Sequence, residues 1–435
     1  MKIYLFFILI LLSAFGFNTI SQKIFQQRWS VWLGYGFPAL IMIIFLGIVS
    51  IPPRYDWFND FINCYYIAGR LVIENPSKLY SLGDFGFVNI PIIASAFSPF
   101  AILNNYVATI TFTLLGILAV STTCYLLIKL LKLTGWRRVA IIGLFIINGP
   151  LYHSIWYGNL THFTLLILLL ALICLKKKRD VLLGVLLAIA ALIKVPLFLL
   201  GIYFALRKKW RVVAGYSATL LIIGGASLVV FGFDLHFVWL KHIGKFAGKA
   251  LVAYNVQSVD GFLARLLLEF NGDLRNWQPI GVDGTFNLVR TTLKLILLGG
   301  TAWIFWRKKA PITLEQENLE FSIVLCLTLL ISPISWTHYY LFLILPFSLY
   351  IGNKLAVPQG KLWYSLIISS IFLISLPVIT PDISSLLLKN LYARLLVSHY
   401  FFGGVLLLGT LLAARSRISK SPQLSPNFPS YQLRL

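Results

Sequence analysis

The stretch "KKKRDVLLGVLLAIAALIKVPLFLLGIYFALRKKWR", residues 176–211, decides the fold. Two basic clusters, Lys176–Arg179 and Arg207–Arg211, bracket an apolar run broken by Lys194 and Pro196. Basic clusters beside apolar runs mark the cytoplasmic side of a membrane. A single crossing would put the two clusters on opposite faces, so the segment reads as a hairpin. About 13 residues per arm make roughly 20 Å of helix, against a hydrocarbon core of roughly 30 Å. The tip, Lys194-Val195-Pro196, is therefore expected below the outer surface, in a protein-lined depression that water reaches. A lysine at that depth is costly unless it is paired or has a task.

The rest of the chain follows the same logic. Of 435 residues 59% are hydrophobic and 12% charged, and mean hydropathy is +0.85. Such a composition excludes a soluble globular enzyme. The formal charge of +23 does not point to nucleic acid, because the basic residues lie in short clusters between apolar runs and form no separate domain. Further clusters stand at Lys23 and Arg28, Lys129–Arg138, Arg307–Lys309, Lys354 and Lys361, and Arg415–Lys420. Apolar runs near 33–52, 105–129, 139–156, 161–175, 181–193, 195–206, 211–232, 287–306, 321–333, 339–353, 362–379 and 396–414 give twelve crossings. That count puts every basic cluster on one side. Residues 1–20 form either a thirteenth helix or one lying on the membrane surface. The expectation is an all-α integral membrane protein, a bundle of 12–13 helices in one transmembrane domain (1–415), with a disordered cytoplasmic tail at 416–435. Three of the four cysteines fall in apolar runs, so no disulfide framework is expected, and no Cys/His zinc spacing occurs.

Two outer loops, A (53–104) and B (233–286), read as short amphipathic helices joined by Gly and Pro turns. Nine of the 14 acidic residues fall in them. Loop A opens with "PPRYDWFNDFINCYYIAGR" (52–70), where Asp56 and Asp60 share one face if the segment is helical. Tyr65, Tyr66 and other aromatics surround them, and desolvation raises a carboxylate's basicity. A second short pair of runs has the tip "SPISWTHYY" (332–340). Two shallow hairpins with polar tips suggest a cavity cut into the outer side of the membrane. Trp336 either stacks on a sugar ring or anchors at the interface. His153 and His162 are either interfacial polar residues or acceptor contacts.

The segments carry a pattern. "NDFINCYYIAGRLVIENPSKLYS" (59–81) and "FSPFAILNN" (97–105) resemble the first outer loop of glycosyltransferase family 87, the polyprenol-phosphate-mannose-dependent mannosyltransferases and their relatives. "WYGNLTHFTLLILLLAL" (156–172) resembles the family's Gly-Gln-x-Asn helix start, with Asn159 where Gln is more common. The hairpin with Lys194 and Pro196, and "YNVQSVDGFLARLL" (254–267) with Asn255, Ser258, Gly261 and Arg265, are similar to further family motifs. "SPISWTHYYLFLILP" (332–346) matches another, with Ser335, Trp336 and His338 kept and Tyr339 in a second His position.

The resemblance implies a GT-C type bundle with its active site on the non-cytoplasmic face, and the short loops and lipid-phosphate chemistry suit a bacterial inner membrane. It implies inverting transfer of a hexose, mannose first, from a polyprenyl-phosphate donor to a lipid or glycan acceptor. Asp60 is expected as general base, with Asp56 as understudy or orienting partner. Lys194, Arg265 and His338 are expected to bind the donor phosphate. Tyr65, Tyr66, Trp156, Asn159, Asn255, Ser258, Ser335 and Trp336 are expected in the substrate cleft. A departing monophosphate ester carries less charge than a nucleotide diphosphate, and the sequence has no Asp-x-Asp motif, so no metal or other cofactor is expected. The competing class is a transporter or flippase for an anionic or lipid-linked substrate, which broken helices and an intramembrane lysine also suit. The lack of an inverted repeat, and outer loops rich in acids and aromatics, count against it.

Overall fold

The computed structural model describes residues 57–83, 86–245, 248–308, 310–381 and 383–418. The expectations for residues 1–20 and 33–52, for Asp56, and for the tail from 419 onward lie outside them.

Loop A holds a π-helix, Phe61–Tyr66, that runs into α1 (Ile67–Glu74), followed by α2 (Pro91–Ser95) and α3 (Ser98–Ala101). α4 (Asn105–Leu131) starts at Asn104, whose side chain accepts from the Val107 N–H, and ends at Lys132 in the left-handed region. α5 (Gly135–Ile146) and α6 (Gly149–Trp156) form an apolar pair bent by 44°. The break is capped by Asn148, which accepts from the Leu151 N–H, with Pro150 in the first turn of α6. α7 (Thr161–Lys176) follows.

The opening hairpin is present. α8 (Asp180–Ile193) rises, Lys194 caps it in extended geometry, and α9 (Phe198–Leu206) descends after a 3₁₀ turn. α10 (Trp210–Gly244) packs on α8 so closely that a Cβ at Gly184 would meet the Val212 carbonyl oxygen at 2.0 Å, and one at Gly215 the Val181 oxygen at 2.2 Å. Small residues allow helix backbones to approach in this way inside a membrane.

α10 runs beyond the expected start of loop B at 233, kinking at Gly232 (φ 71°) and continuing to Gly244. Loop B then contains a two-residue ladder between β1 (Lys249–Ala250) and β2 (Ile280–Gly281), with α11 (Val259–Leu267) between them. α12 (Gly284–Arg307) and α13 (Leu314–Ile331) follow. A 3₁₀ stretch, Thr337–Leu343, leads into α14 (Ile344–Ile351). The chain closes with α15 (Lys361–Ser375), α16 (Leu386–Arg394) and α17 (His399–Arg417), two residues past the expected end of the domain.

Among the described residues four helical stretches are long and apolar enough to cross a membrane: α4, α10, α12 and Leu386–Arg417, with the bent α5–α6 pair a fifth. The first hairpin uses two shorter apolar helices, and the second uses one within Thr337–Ile351, while its other arm, α13, has 18 residues. The protein is an all-α integral membrane protein.

The basic clusters meet at one end of the bundle. Lys176 Nζ donates to the Leu130 carbonyl (2.9 Å), and Lys308 Nζ to that of Ile418 (3.1 Å). Lys209 pairs with Glu317 at 2.8 Å, and Asn318 Nδ2 donates to the Lys354 carbonyl at 2.9 Å. Glu320, just before the expected apolar run 321–333, lies inside α13. It is fully buried and bonded to Arg207, Arg415 and the Tyr203 hydroxyl. The helix began seven residues before the apolar run, because a paired carboxylate can be buried.

Candidate active site

The opposite helix ends enclose a cavity of about 1180 Å³, into which both hairpin tips reach. Its chemistry begins in a turn. Gly158 holds φ +65°, and a Cβ there would meet Phe61 Cβ at 2.7 Å, so only glycine fits without displacement. That close approach lets the Phe58 N–H donate to the Trp156 carbonyl (2.8 Å) and the Asp60 N–H to that of Tyr157 (2.9 Å). Phe58 itself is held at φ 55°, a strained conformation for a bulky residue. Backbone contacts thus clamp the start of loop A onto the α6–α7 turn and aim Asp60 inward.

Asn159, next in that turn, joins the two charged groups. Its Nδ2 donates to Asp60 Oδ2 at 2.5 Å, and its Oδ1 accepts from Lys194 Nζ at 2.8 Å. The Thr161 hydroxyl (2.8 Å) and N–H (3.2 Å) donate to the same oxygen, which fixes the amide with its nitrogen toward the carboxylate. Lys194 is buried, with Nζ 4.6 Å from the Tyr339 ring centre, so the cation has an amide and a π face in place of water. Burial raises the Asp60 carboxyl above its ordinary range, while the Asn159 hydrogen bond and the Lys194 charge pull it back.

The second tip is docked onto loop B by backbone pairing. Val256 and Trp336 form an antiparallel bridge, the Gln257 N–H donates to the Ser335 carbonyl (2.7 Å), and the Thr337 N–H to that of Asn255 (2.7 Å). His338 is thereby set in the cavity wall, buried, with Nε2 lacking a hydrogen-bond partner. His153 on α6 is in the same state, whereas His162 points into the bundle and bonds Ser154 Oγ at 2.9 Å. The two histidines thus part: the first belongs to the cavity, the second to packing.

Asp60, Lys194 and His338 therefore share one cavity, and Tyr65, Trp156, Asn159, Asn255 and Trp336 line it too. Four expected residues are elsewhere. Arg265 is fully buried, donating to the Ala253 carbonyl (2.9 Å) and to Ser398 Oγ (2.9 and 3.2 Å), and it fastens α11 to the residue before α17. Tyr66 packs in loop A with its hydroxyl on the Leu103 carbonyl (2.9 Å). Ser258 caps α11. Ser335 is buried and contributes its carbonyl to the loop B pairing. Tyr66, Ser258 and Ser335 each lie one to three residues from a cavity residue and turn away from it, whereas Arg265 lies ten residues from both Asn255 and Arg275.

The structure also adds residues. Arg275 and Trp277 of loop B line the cavity, as does the segment Leu376–Thr380 beyond α15. Pro377 marked the stop, since a residue before proline disfavours helix; α15 ends at Ser375, and the expected span to 379 finishes as extended chain. No periodicity in "DLRNW" (273–277) marks Arg275 or Trp277. Among the described residues, His, Cys, Asp and Glu form no cluster of three or more that could hold a metal ion.

Fold and cavity together define a helical integral membrane protein in which Asp60 of loop A and the two hairpin tips line one cavity. Residues 87–333 match the model of glycosyltransferase family 87, and the chain belongs to that family. It is similar to two proteins of Mycolicibacterium smegmatis. One, a polyprenol-phosphate-mannose-dependent alpha-(1-2)-phosphatidylinositol pentamannoside mannosyltransferase, is 28% identical over 320 residues, covering 69% of this chain and 73% of the relative. The other, a polyprenol-phosphate-mannose-dependent alpha-(1-2)-phosphatidylinositol mannoside mannosyltransferase, is 25% identical over 378 residues, covering 80% and 79%. The chain is a glycosyltransferase, which decides between the enzyme and the transporter.

Proposed function

We propose that the protein transfers a mannosyl residue from a polyprenyl-phosphate donor to a lipid-anchored glycan acceptor, with inversion. The observation that carries the reading is the Asp60–Asn159–Lys194 array, half-buried at the carboxylate and buried at the other two, at the wall of one large cavity. The names of both relatives supply the donor and the kind of acceptor.

Asp60 is the general base. It takes the proton from the attacking acceptor hydroxyl as that oxygen forms the new bond to the anomeric carbon and the phosphate departs with the electrons of the old one. The Asn159 amide holds the carboxylate by one oxygen, and Lys194 opposes the negative charge that develops near it. His338, without a partner in the wall, is placed to donate to a substrate oxygen. The aromatic side chains of Trp156 and Trp336 offer faces for sugar rings. Asp56 stays an orienting candidate beside the described residues. Side-chain cations suffice for a monophosphate leaving group, so no metal is required. The cavity end faces the exterior of a bacterial inner membrane and the basic end the cytoplasm, by the positive-inside rule.

The test incubates the purified protein with radiolabelled polyprenyl-phosphate mannose and a phosphatidylinositol mannoside acceptor, with Asp60→Asn and an EDTA-treated sample alongside. Label should move to the acceptor, fall about 100- to 10,000-fold in the variant, and be unaffected by EDTA. Wild-type turnover in Asp60→Asn removes the base; loss with EDTA that Mg²⁺ or Mn²⁺ restores removes metal independence.

A further inference from the structure

We propose that Arg275 is a phosphate-binding residue of the cavity, receiving the phosphate of a lipid-linked substrate. The proposal rests on the transfer reaction above and names a subsite within it. Three features carry it: charge, hydrogen bonding and position.

Among the described residues lining the cavity, the Asp, Glu, Lys and Arg side chains are Asp60, Lys194 and Arg275. Asp60 and Lys194 are joined through one amide and balance each other. Any phosphate entering this space adds negative charge that the pair cannot offset. Arg275 supplies the missing positive charge, and Arg265, buried and fully engaged, is out of reach.

The guanidinium is held but not neutralised. Nε and Nη2 donate to Thr380 Oγ1 at 3.1 and 3.0 Å, and that acceptor is uncharged. The nearest acid in sequence, Asp273, accepts from the Arg275 backbone N–H at 2.9 Å. Arg275 makes no ion pair among the described residues, and its Nη1 donors are uncommitted. A planar fork with free donors is the side chain best matched to phosphate oxygens.

Position supplies the third argument. Thr380 ends the extended segment whose Leu376, Val378 and Ile379 line the cavity with Ile371 and Phe372 of α15. Phe372 is 61% and Ile379 46% exposed, on a surface that continues the exposed apolar face of the helix, with Leu362 and Ile368. On the other side of Arg275 stands Trp277, oriented by its Nε1–H on Asn255 Oδ1 at 3.1 Å. Arg275 thus sits where an apolar wall meets a polar one. A lipid phosphate has the same two neighbours, a hydrocarbon chain and a sugar.

The phosphate comes from the donor or from a phospholipid-type acceptor, and kinetics separates them. Wild type, Arg275→Gln, Arg275→Lys and Thr380→Val are titrated with polyprenyl-phosphate mannose at saturating phosphatidylinositol mannoside, then the reverse. Arg275→Gln should raise one KM by about 10- to 100-fold, as expected for losing a charge-assisted hydrogen bond, with a smaller change in kcat. Arg275→Lys should recover most of the affinity, and Thr380→Val should lose a few-fold. A rise in the donor arm assigns the donor phosphate; a rise in the acceptor arm assigns the acceptor's. Both KM values within twofold of wild type in Arg275→Gln, or no advantage of Lys over Gln, overturns the proposal. Asp60→Asn inactive with Arg275→Gln normal removes this subsite alone; an active Asp60→Asn removes the reaction beneath it.

Discussion

Glu320 at one end of the bundle and Asp60 at the other are both acids drawn out of bulk water beside cations. Glu320 is fully enclosed and takes hydrogen bonds from Arg207 through Nε and Nη2, from Arg415 Nε and from the Tyr203 hydroxyl. Its charge is saturated and three elements, α9, α13 and α17, are tied together by it. Asp60 has one amide for a partner, shares its lysine at second hand, and faces a cavity. The same pairing of carboxylate and cation is thus a rivet where donors surround it and a group open to a cavity where they leave room. The difference lies in how many donors the fold delivers, and not in residue type.

The largest expected effects are a crossed pair. Asp60→Asn should lose transfer by the hundred- to ten-thousandfold stated above while melting like wild type. Glu320→Gln should destabilise the fold by about 3–5 kcal/mol, because it leaves Arg207 and Arg415 buried without their partner, yet the folded fraction should turn over normally. Thermal melting and initial rates on both variants decide it; a Glu320→Gln protein that melts normally but does not react breaks the comparison.

A middle-sized effect comes from the turn that aims Asp60. Gly158→Ala puts a side chain at positive φ against Phe61, so a loss of about 1–3 kcal/mol is expected, together with slower turnover. Full activity at unchanged stability would mean that the turn does not set the carboxylate.

The smallest effect sharpens the view of Asn159. Its hydrogen bond lowers the Asp60 pKa against the raising influence of burial. Asn159→Ala removes the lowering influence, so Asp60 protonates at higher pH than in wild type. The proposed base works only when ionised, so the acid limb of kcat/KM should move to higher pH. Superimposable pH profiles would show that Asn159 does not act through Asp60.

Much of this was legible before any coordinates. The basic clusters and the parity of apolar runs required a hairpin at 180–206, and Lys194 is where a short hairpin must put it, buried and partnered. Asp60 was marked by its aromatic setting. Arg265 was not legible as a structural residue, since a motif records that an arginine is present and not which way the helix turns it. Arg275, Trp277 and the segment after α15 carried no local signal, because a cavity wall is assembled from distant elements whose own sequences obey only their local rules.

Length, hydropathy and the placement of charge by themselves determined a membrane bundle, its short hairpins and the end at which basic residues gather, since the bilayer imposes those constraints on each segment independently. Only the tertiary structure decided which polar side chains meet: that Asn159 stands between Asp60 and Lys194, that Arg265 is spent on Ser398, and that Arg275 faces the cavity. Hydrogen bonds act over about 3 Å, and nothing in a linear chain records a distance so short between residues so far apart.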